Sequence, residues 1–253
     1  MTDKPTETVH TETQGAVGVV EIRRGPHNFF DEAVLVEIGD ALVAMDARPE
    51  IRAVVLCSAG RHFCAGADLR DVDHHVLRRV YRAASRLFTT RKPIVAAVQG
   101  AAVGGGLGLA LAADFRVAGP DARLTANFAR LGFHHGFGLS VTLPALVGQQ
   151  RALDLLYTGR DLGAAEAVSI GLCDRVVDDE PRSAALQWAA EIAESAPLSL
   201  LAIRSTMRRE LAGRVVIALD EEANAQSALL GTADFAEGIA AVIGKRPPEF
   251  LGV

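Results

Sequence analysis

The chain has 253 residues, a net charge of −5 and 49% hydrophobic side chains. That length suits one large α/β domain, or one with a helical appendage, whose core needs no covalent staples. The mild acidity disfavours general binding to nucleic acid or to an anionic membrane, so any anionic ligand must meet a local cluster of donors.

The first fourteen residues are polar and have no apolar core like that of a signal peptide, so residues 1–14 read as a flexible tail. Ala16–Ile22 is a short β-rich run. Over Asp31–Ala47, the apolar residues Val34, Ile38, Leu42 and Met45 recur at helical spacing, with Asp31 placed to cap the start. Compact strands are expected at Ala53–Cys57, Ile94–Val98, Phe115–Ala118 and Cys173–Val177. Helical segments separate several of them, which implies crossover connections and a largely parallel sheet. From about Pro181 the strands stop. Arg182–Ser195, Leu198–Leu211, Arg214–Leu230 and Asp234–Ile243 read as helices, punctuated by Pro197 and Gly213. The expected division is a tail over 1–14, a core over 15–195 and a helical region over 196–253, suited to subunit contacts or to a lid.

Three cysteines, Cys57, Cys64 and Cys173, occur without a CxxC pair, which points to neither a disulfide framework nor a zinc site and fits a reducing cytoplasm. No apolar run approaches the roughly 18 residues of a membrane span. The longest weakly polar stretch, Val95–Ala113, is glycine-rich and contains Gln99.

Two segments carry the chemistry, each directly after an expected strand. The first is Ser58-Ala-Gly-Arg-His-Phe-Cys-Ala-Gly-Ala-Asp-Leu69 and the second Gln99-Gly-Ala-Ala-Val-Gly-Gly-Gly-Leu-Gly-Leu109. Small residues let a ligand approach the backbone closely. Gly104-Gly-Gly106 opens a helix-like segment, and a helix start offers unpaired N–H groups and a partial positive charge, which suits a developing oxyanion. Neither a dinucleotide fingerprint nor a Walker motif is present.

Phe63-Cys-Ala-Gly-Ala-Asp-Leu69, Lys92-Pro-Ile-Val-Ala-Ala-Val-Gln-Gly100 and Gly104-Gly-Gly-Leu-Gly-Leu-Ala-Leu-Ala-Ala-Asp114, in that order, resemble the enoyl-CoA hydratase/isomerase (crotonase) superfamily. His27-Asn28-Phe29-Phe30, Leu131-Gly132, Gly138, Thr158-Gly159-Arg160 and the tail Gly244-Lys-Arg-Pro-Pro-Glu-Phe250 extend the resemblance over about residues 16 to 252. It implies an α/β fold of the ClpP/crotonase kind, a spiral of ββα units with a helical C-terminal part. It also implies a homotrimer or a dimer of trimers, and an acyl-CoA thioester as substrate. Coenzyme A then enters as part of the substrate, with no permanently bound cofactor, no metal and no nucleic-acid partner.

By the same resemblance, Ala67 and Gly105 give the two backbone N–H groups of an oxyanion hole. Ala65 and Leu69 hold the pantetheine and adenine portions, Arg23 and Arg24 lie near the nucleotide end, and Lys245 and Phe250 reach a coenzyme A, often on a neighbouring subunit. Asp68 and Gly104, in the same two segments, complete the candidate substrate-binding positions. The chain departs from the hydratase pattern at both catalytic glutamates. Gly108 and Phe128 stand in their places, and Gly136 stands where related isomerases and a dehalogenase carry an aspartate. Gly108 either packs closely against a neighbouring element or makes room for a bulky acyl group. Phe128 forms an apolar pocket wall or ordinary core. A replacement base is sought in His134 and His135; neighbours in an extended loop point opposite ways, so at most one faces the thioester. Asp71, Asp73, His74 and His75 either line the pocket mouth or form a solvated helix start. The readings kept open are a lyase or isomerase acting on acyl- or enoyl-CoA, a non-catalytic acyl-CoA binder, and a thioester hydrolase or C–C lyase.

Overall fold

The computed structural model describes residues 8–68 and 72–253. Leu69 and Asp71 lie outside the described residues. Nine strands and nine α-helices are described in chain order. They are β1 (Val9–Gln14), β2 (Val17–Ile22), α1 (Glu32–Ala47), β3 (Ala53–Ser58), α2 (His74–Ser85), β4 (Ile94–Val98), β5 (Ala101–Val103) and α3 (Gly105–Ala112). Next come β6 (Phe115–Ala118), β7 (Arg123–Thr125), α4 (Leu139–Val147), α5 (Gln149–Thr158), β8 (Asp161–Gly163), α6 (Ala164–Ser169) and β9 (Arg175–Val176). Three helices close the chain: α7 (Pro181–Ala193), α8 (Pro197–Leu229) and α9 (Ala233–Gly244).

The main sheet has the order β1-β2-β3-β4-β6-β9. Its strands are parallel except for β1, which runs antiparallel to β2. Residues 9–14, expected in the tail, therefore form an edge strand. Their polar side chains hid it, because only one face of an edge strand needs apolar cover. The inner strands are apolar along their whole length because both sheet faces are covered. Val20, Ile22, Val54 and Leu56 face the larger core, while Val17, Val19, Val55 and Val95 face α7. Helix α7 meets that face through Ala185, Ala189 and Ala193 at four-residue spacing, so its backbone approaches the sheet closely.

A second sheet, β5-β7-β8, lies beyond the ends of β4 and β6. The chain passes from β4 to β5 through Gly100, at φ 52°, where a Cβ would lie 2.1 Å from the Arg61 carbonyl oxygen. The succession β4-β5-α3 is thus a ββα unit. The short strands β5, β7 and β8 are absent from the sequence reading, in which β5 falls within the second glycine-bearing segment.

The two helices expected between Leu198 and Leu230 are one 33-residue helix, α8. Gly213 does not break it, since an exposed helical glycine costs only about 1 kcal/mol against alanine. The buried side chains Val215, Leu219 and Ala223 of α8 join the same core as the sheet, so this region has no separate core. Among the described residues, no single helix is long and apolar enough to cross a membrane.

Candidate active site

The first glycine-bearing segment is zipped to the second by a parallel bridge, Cys64 to Ala102. The Cys64 N–H donates to the Ala101 carbonyl at 2.9 Å, and the Val103 N–H donates to the Cys64 carbonyl at 3.0 Å. This close approach needs Gly106, where a Cβ would sit 2.1 Å from the Cys64 carbonyl oxygen. Gly104 adopts φ 57° and turns the chain from β5 into α3.

A second bridge, Phe30 to Ala67, orients the other N–H group. Phe30 donates to the Gly66 carbonyl at 3.0 Å and accepts from the Asp68 N–H at 2.8 Å. In a parallel bridge of this kind the N–H of the central residue, Ala67, points away from its partner strand. Gly105 is the first residue of α3, so its N–H has no partner within the helix. Among the described residues neither N–H meets an acceptor. Ala67 and Gly105 line the same cavity of about 110 Å3, together with Ala65, Asp68 and Gly104. Five of the residues singled out in the sequence thus come together there.

The rest of the wall is largely apolar. Val76, Leu77 and Val80 come from α2, and Leu131 and Phe133 come from the segment leading to α4. Phe128 also lines the cavity, as pocket wall. Gly108 does not serve as acyl space: a Cβ there would lie 2.5 Å from the Phe137 Cβ, so close packing explains the glycine.

The histidine pair is placed differently from expectation. The two rings stack with centroids 4.1 Å apart, and neither residue lines the cavity. The His134 Nδ1–H donates to the His135 carbonyl at 2.7 Å, and the His135 Nε2 lies 2.9 Å from the Ser140 Oγ. Ser140 Oγ donates its own proton to the buried Glu222 at 2.7 Å, so His135 is the donor to Ser140. Burial, then the charge of His134, lowers the His135 pKa to about 4, and the ring stays neutral at pH 7. These contacts anchor the loop; they do not aim a base at the cavity. Asp73 caps α2 by accepting from the Val76 N–H at 2.7 Å, and His74 and His75 lie in the exposed first turn, so the helix-start reading holds for them.

Arg24 and Arg23 are engaged in ion pairs. Arg24 meets Asp31 at 2.7 Å and Arg23 pairs with Glu21. Asp31 lines the cavity, which puts Arg24 beside it. Arg24 also donates to the Phe29 carbonyl, and its N–H meets the fully buried Asn28, whose amide donates to the Ala59 and His62 carbonyls. This ties the segment before α1 to the first glycine-bearing turn. Lys245 and Phe250, beyond the end of α9, do not line the cavity of this chain.

Three polar residues of the cavity, Asn127, Tyr81 and Gln226, escaped the sequence reading, and the last two form a pair. Tyr81 of α2 donates to the Gln226 Oε1 of α8 at 2.6 Å, and the Gln226 Nε2 donates to the His134 carbonyl at 2.8 Å. Burial, then the negative charge of Glu222, pushes the Tyr81 phenol well above the ordinary tyrosine range, so it stays protonated. Tyr81 and Gln226 are 145 positions apart and carry no local motif.

A mostly parallel α/β sheet with a second small sheet beyond its strand ends, and two glycine-bearing turns converging on one cavity, defines a protein of the crotonase type. The family model described as enoyl-CoA hydratase/isomerase matches residues 12–252, and the chain belongs to that family. A probable enoyl-CoA hydratase of Rhizobium meliloti is 36% identical over 252 residues, covering 96% of this chain and 98% of the relative. A probable enoyl-CoA hydratase of Bacillus subtilis is 32% identical, covering 93% and 95%. The crystal structure of an enoyl-CoA hydratase/isomerase from Pseudoalteromonas atlantica superposes with a TM-score of 0.88 at 31% identity, covering 96% of this chain and all of the other.

Proposed function

We propose that this protein is an enzyme that binds an acyl-CoA thioester with its carbonyl oxygen between the N–H groups of Ala67 and Gly105, and stabilises the enolate formed there. The observation that carries this reading is the pair of unpartnered N–H groups lining one largely apolar cavity. Charge that develops on a thioester oxygen is stabilised by preorganised donors in a site shielded from water, each contributing about 3 kcal/mol to the transition state. Ala65, Asp68 and Gly104 then contact the thioester end of the substrate. Arg24 lies beside the cavity, and Lys245 and Phe250 are placed to serve a neighbouring subunit in a homotrimer or dimer of trimers. Coenzyme A enters with the substrate, and no permanent cofactor is invoked.

The reaction is of the lyase or isomerase kind and is not water addition through two glutamates, since Gly108 and Phe128 offer no proton acceptor. The same replacements favour a second reading, a non-catalytic acyl-CoA binder. The test is infrared difference spectroscopy with butyryl-CoA labelled with 13C at the thioester carbonyl. A downshifted carbonyl band in the complex is expected; an unshifted band in a saturated complex overturns the oxyanion assignment. Turnover of a panel of enoyl-CoA thioesters, with mass spectrometry for free coenzyme A, separates enzyme, hydrolase and binder.

A further inference from the structure

A second cavity, of about 490 Å3, lies between α8 and the segment that enters β4. Thr90 and Arg91 of its wall precede β4, whereas the turn at Gly100 follows that strand, so this cavity and the acyl-CoA cavity sit at opposite ends of it. The facing wall is one side of α8. Arg204, Ser205, Arg208 and Arg209 recur there at four-residue spacing. In a chain of net charge −5, four arginines on one cavity are a local concentration of donors. Among the described residues no carboxylate lines this cavity.

The charges are out of balance. Asp114, just after α3, meets Arg204 at 2.7 Å and Arg208 at 3.3 Å, so one carboxylate serves two guanidiniums. Arg204 is only 6% exposed and donates to the Thr90 carbonyl, yet its Nη2 meets no acceptor. Arg208 donates through Nη2 to the Ala112 carbonyl at 2.7 Å, while its buried Nε, though near Asp114, makes no hydrogen bond. Buried donors without an acceptor are rare in native proteins, and an ion is one of the things that completes them. Burial lowers the Arg208 pKa, and the cations Arg204 and Arg116 lower it further against the pull of Asp114; an arginine nevertheless stays charged at pH 7. Arg91 and Arg209 are exposed on the same wall. Asp46 takes the backbone N–H of Arg91 and Glu210 lies toward Arg214, so among the described residues no carboxylate pairs with the guanidinium of Arg91 or Arg209.

We propose that this cavity is a second ligand site, separate from the acyl-CoA cavity, and that it binds a small phosphomonoester through Arg91, Arg208 and Arg209, with Arg204 adding a buried charge. Four guanidiniums facing one carboxylate leave a surplus that a dianion neutralises better than a monocarboxylate does. Guanidinium forks also match the oxygens of a phosphate, two N–H groups at a time. The Ser205 hydroxyl, which makes no hydrogen bond among the described residues, is placed to donate to a further oxygen. A phosphate ion alone would leave most of the cavity unfilled, and Leu201 and Ala212 offer an apolar surface to an organic part. The acidity of the whole chain works against a long polyanion, which favours a small soluble ligand over nucleic acid. The site is independent of the oxyanion reading above.

The experiment is calorimetric titration of the full-length protein, at constant ionic strength, with inorganic phosphate, with glycerol 3-phosphate and with acetate. Saturable binding of both phosphates at one per chain is expected, glycerol 3-phosphate at least as tightly as phosphate, with no saturable binding of acetate. Arg208→Gln is expected to weaken both phosphates at least about tenfold, since each lost hydrogen bond to a charged group is a large one. Arg91→Gln with Arg209→Gln changes two exposed residues, is expected to weaken them as much, and decides the matter if Arg208→Gln does not fold. Absence of saturable phosphate binding overturns the inference, as do acetate binding equal to that of phosphate and unchanged affinity in the folded double variant. Displacement of glycerol 3-phosphate by butyryl-CoA would place the phosphates of coenzyme A at these arginines and overturns the separate site. Binding confined to phosphatidylcholine vesicles containing phosphatidic acid would make the cluster a lipid contact and also overturns it. So does phosphate binding seen only after Ile203→Glu with Met207→Glu breaks the assembly, since the arginines then face a neighbouring chain.

Discussion

Gly108 stands at a tightly packed position, and its packing bears on the chemistry proposed for the cavity. Restoring the acid by Gly108→Glu meets a backbone already in contact with its neighbour: the new Cβ would lie 2.5 Å from Cβ and 2.9 Å from Cγ of Phe137, a ring that is itself buried. The atom in the way is the root of a side chain, so rotation about its own bonds does not clear it. Overpacking of this kind costs about 1–3 kcal/mol. Gly108→Glu is therefore expected to lower the unfolding free energy measured in urea by that amount without creating crotonyl-CoA hydration; a stable variant that gains hydration would refute the packing account. The absence of an acid at 108 and 128 was legible in the sequence, because those positions sit inside contiguous motifs whose spacing survives folding. So were the segments carrying Ala67 and Gly105, which line one cavity. Tyr81 and Gln226 were not, because each looks like an ordinary helical residue until α2 and α8 pack together. The histidines misled for the opposite reason: a conspicuous residue type was read as a base, and the fold turns it toward Ser140 and away from the cavity.

At the scale of elements, the loop that carries Phe128 and the histidines is held by a cap from a distant helix. Gly138, the N-cap of α4, has no side chain to satisfy the first N–H groups of that helix. Glu222 of α8 does so instead, accepting from the Gly138 N–H at 2.7 Å and from the Ser140 N–H at 2.9 Å, as well as from the Ser140 hydroxyl. Four residues on, Gln226 grips Tyr81 and the His134 carbonyl, so one face of α8 fixes both the α4 entry and the phenol. Glu222→Ala leaves two amides without a partner, at about 1–3 kcal/mol for each buried group. A total loss of about 3 kcal/mol in chemical denaturation is expected, with Glu222→Gln milder because one acceptor oxygen remains. A loss under 0.5 kcal/mol for the alanine variant would show that the cap contributes nothing. The core strands and helices α1, α7 and α9 were readable from the sequence, whereas α2, α4, α5 and α6 were given no bounds there. The continuity of α8 through Gly213 was not, since the packing of Val215 and Leu219 outweighs a weak local preference.

For the whole molecule, the helical C-terminal region leaves large apolar side chains uncovered. On α8, Leu198 is 79% exposed, Ile203 61%, Met207 75% and Ile217 64%, and Ile243 at the end of α9 is 77% exposed. Ile203 and Met207 are four residues apart and share one helix face. The opposite face of α8 is spent on the core, through Val215, Leu219 and Ala223. Scattered exposed side chains are ordinary, but Ile203 and Met207 on one face of a long helix form the surface that we propose a second copy of this chain covers. Neither Lys245 nor Phe250, expected at coenzyme A, reaches the cavity of its own chain, which fits a site completed by a neighbour. Sedimentation velocity is therefore expected to give a species of three chains of 26.7 kDa, about 80 kDa, or twice that mass. The double substitution Ile203→Glu with Met207→Glu places two charges on the row and touches no cavity residue. It is expected to shift the distribution toward monomer, while the far-ultraviolet circular dichroism of the fold is kept. A wild-type protein that sediments as a monomer at micromolar concentration would remove both the assembly and the shared site.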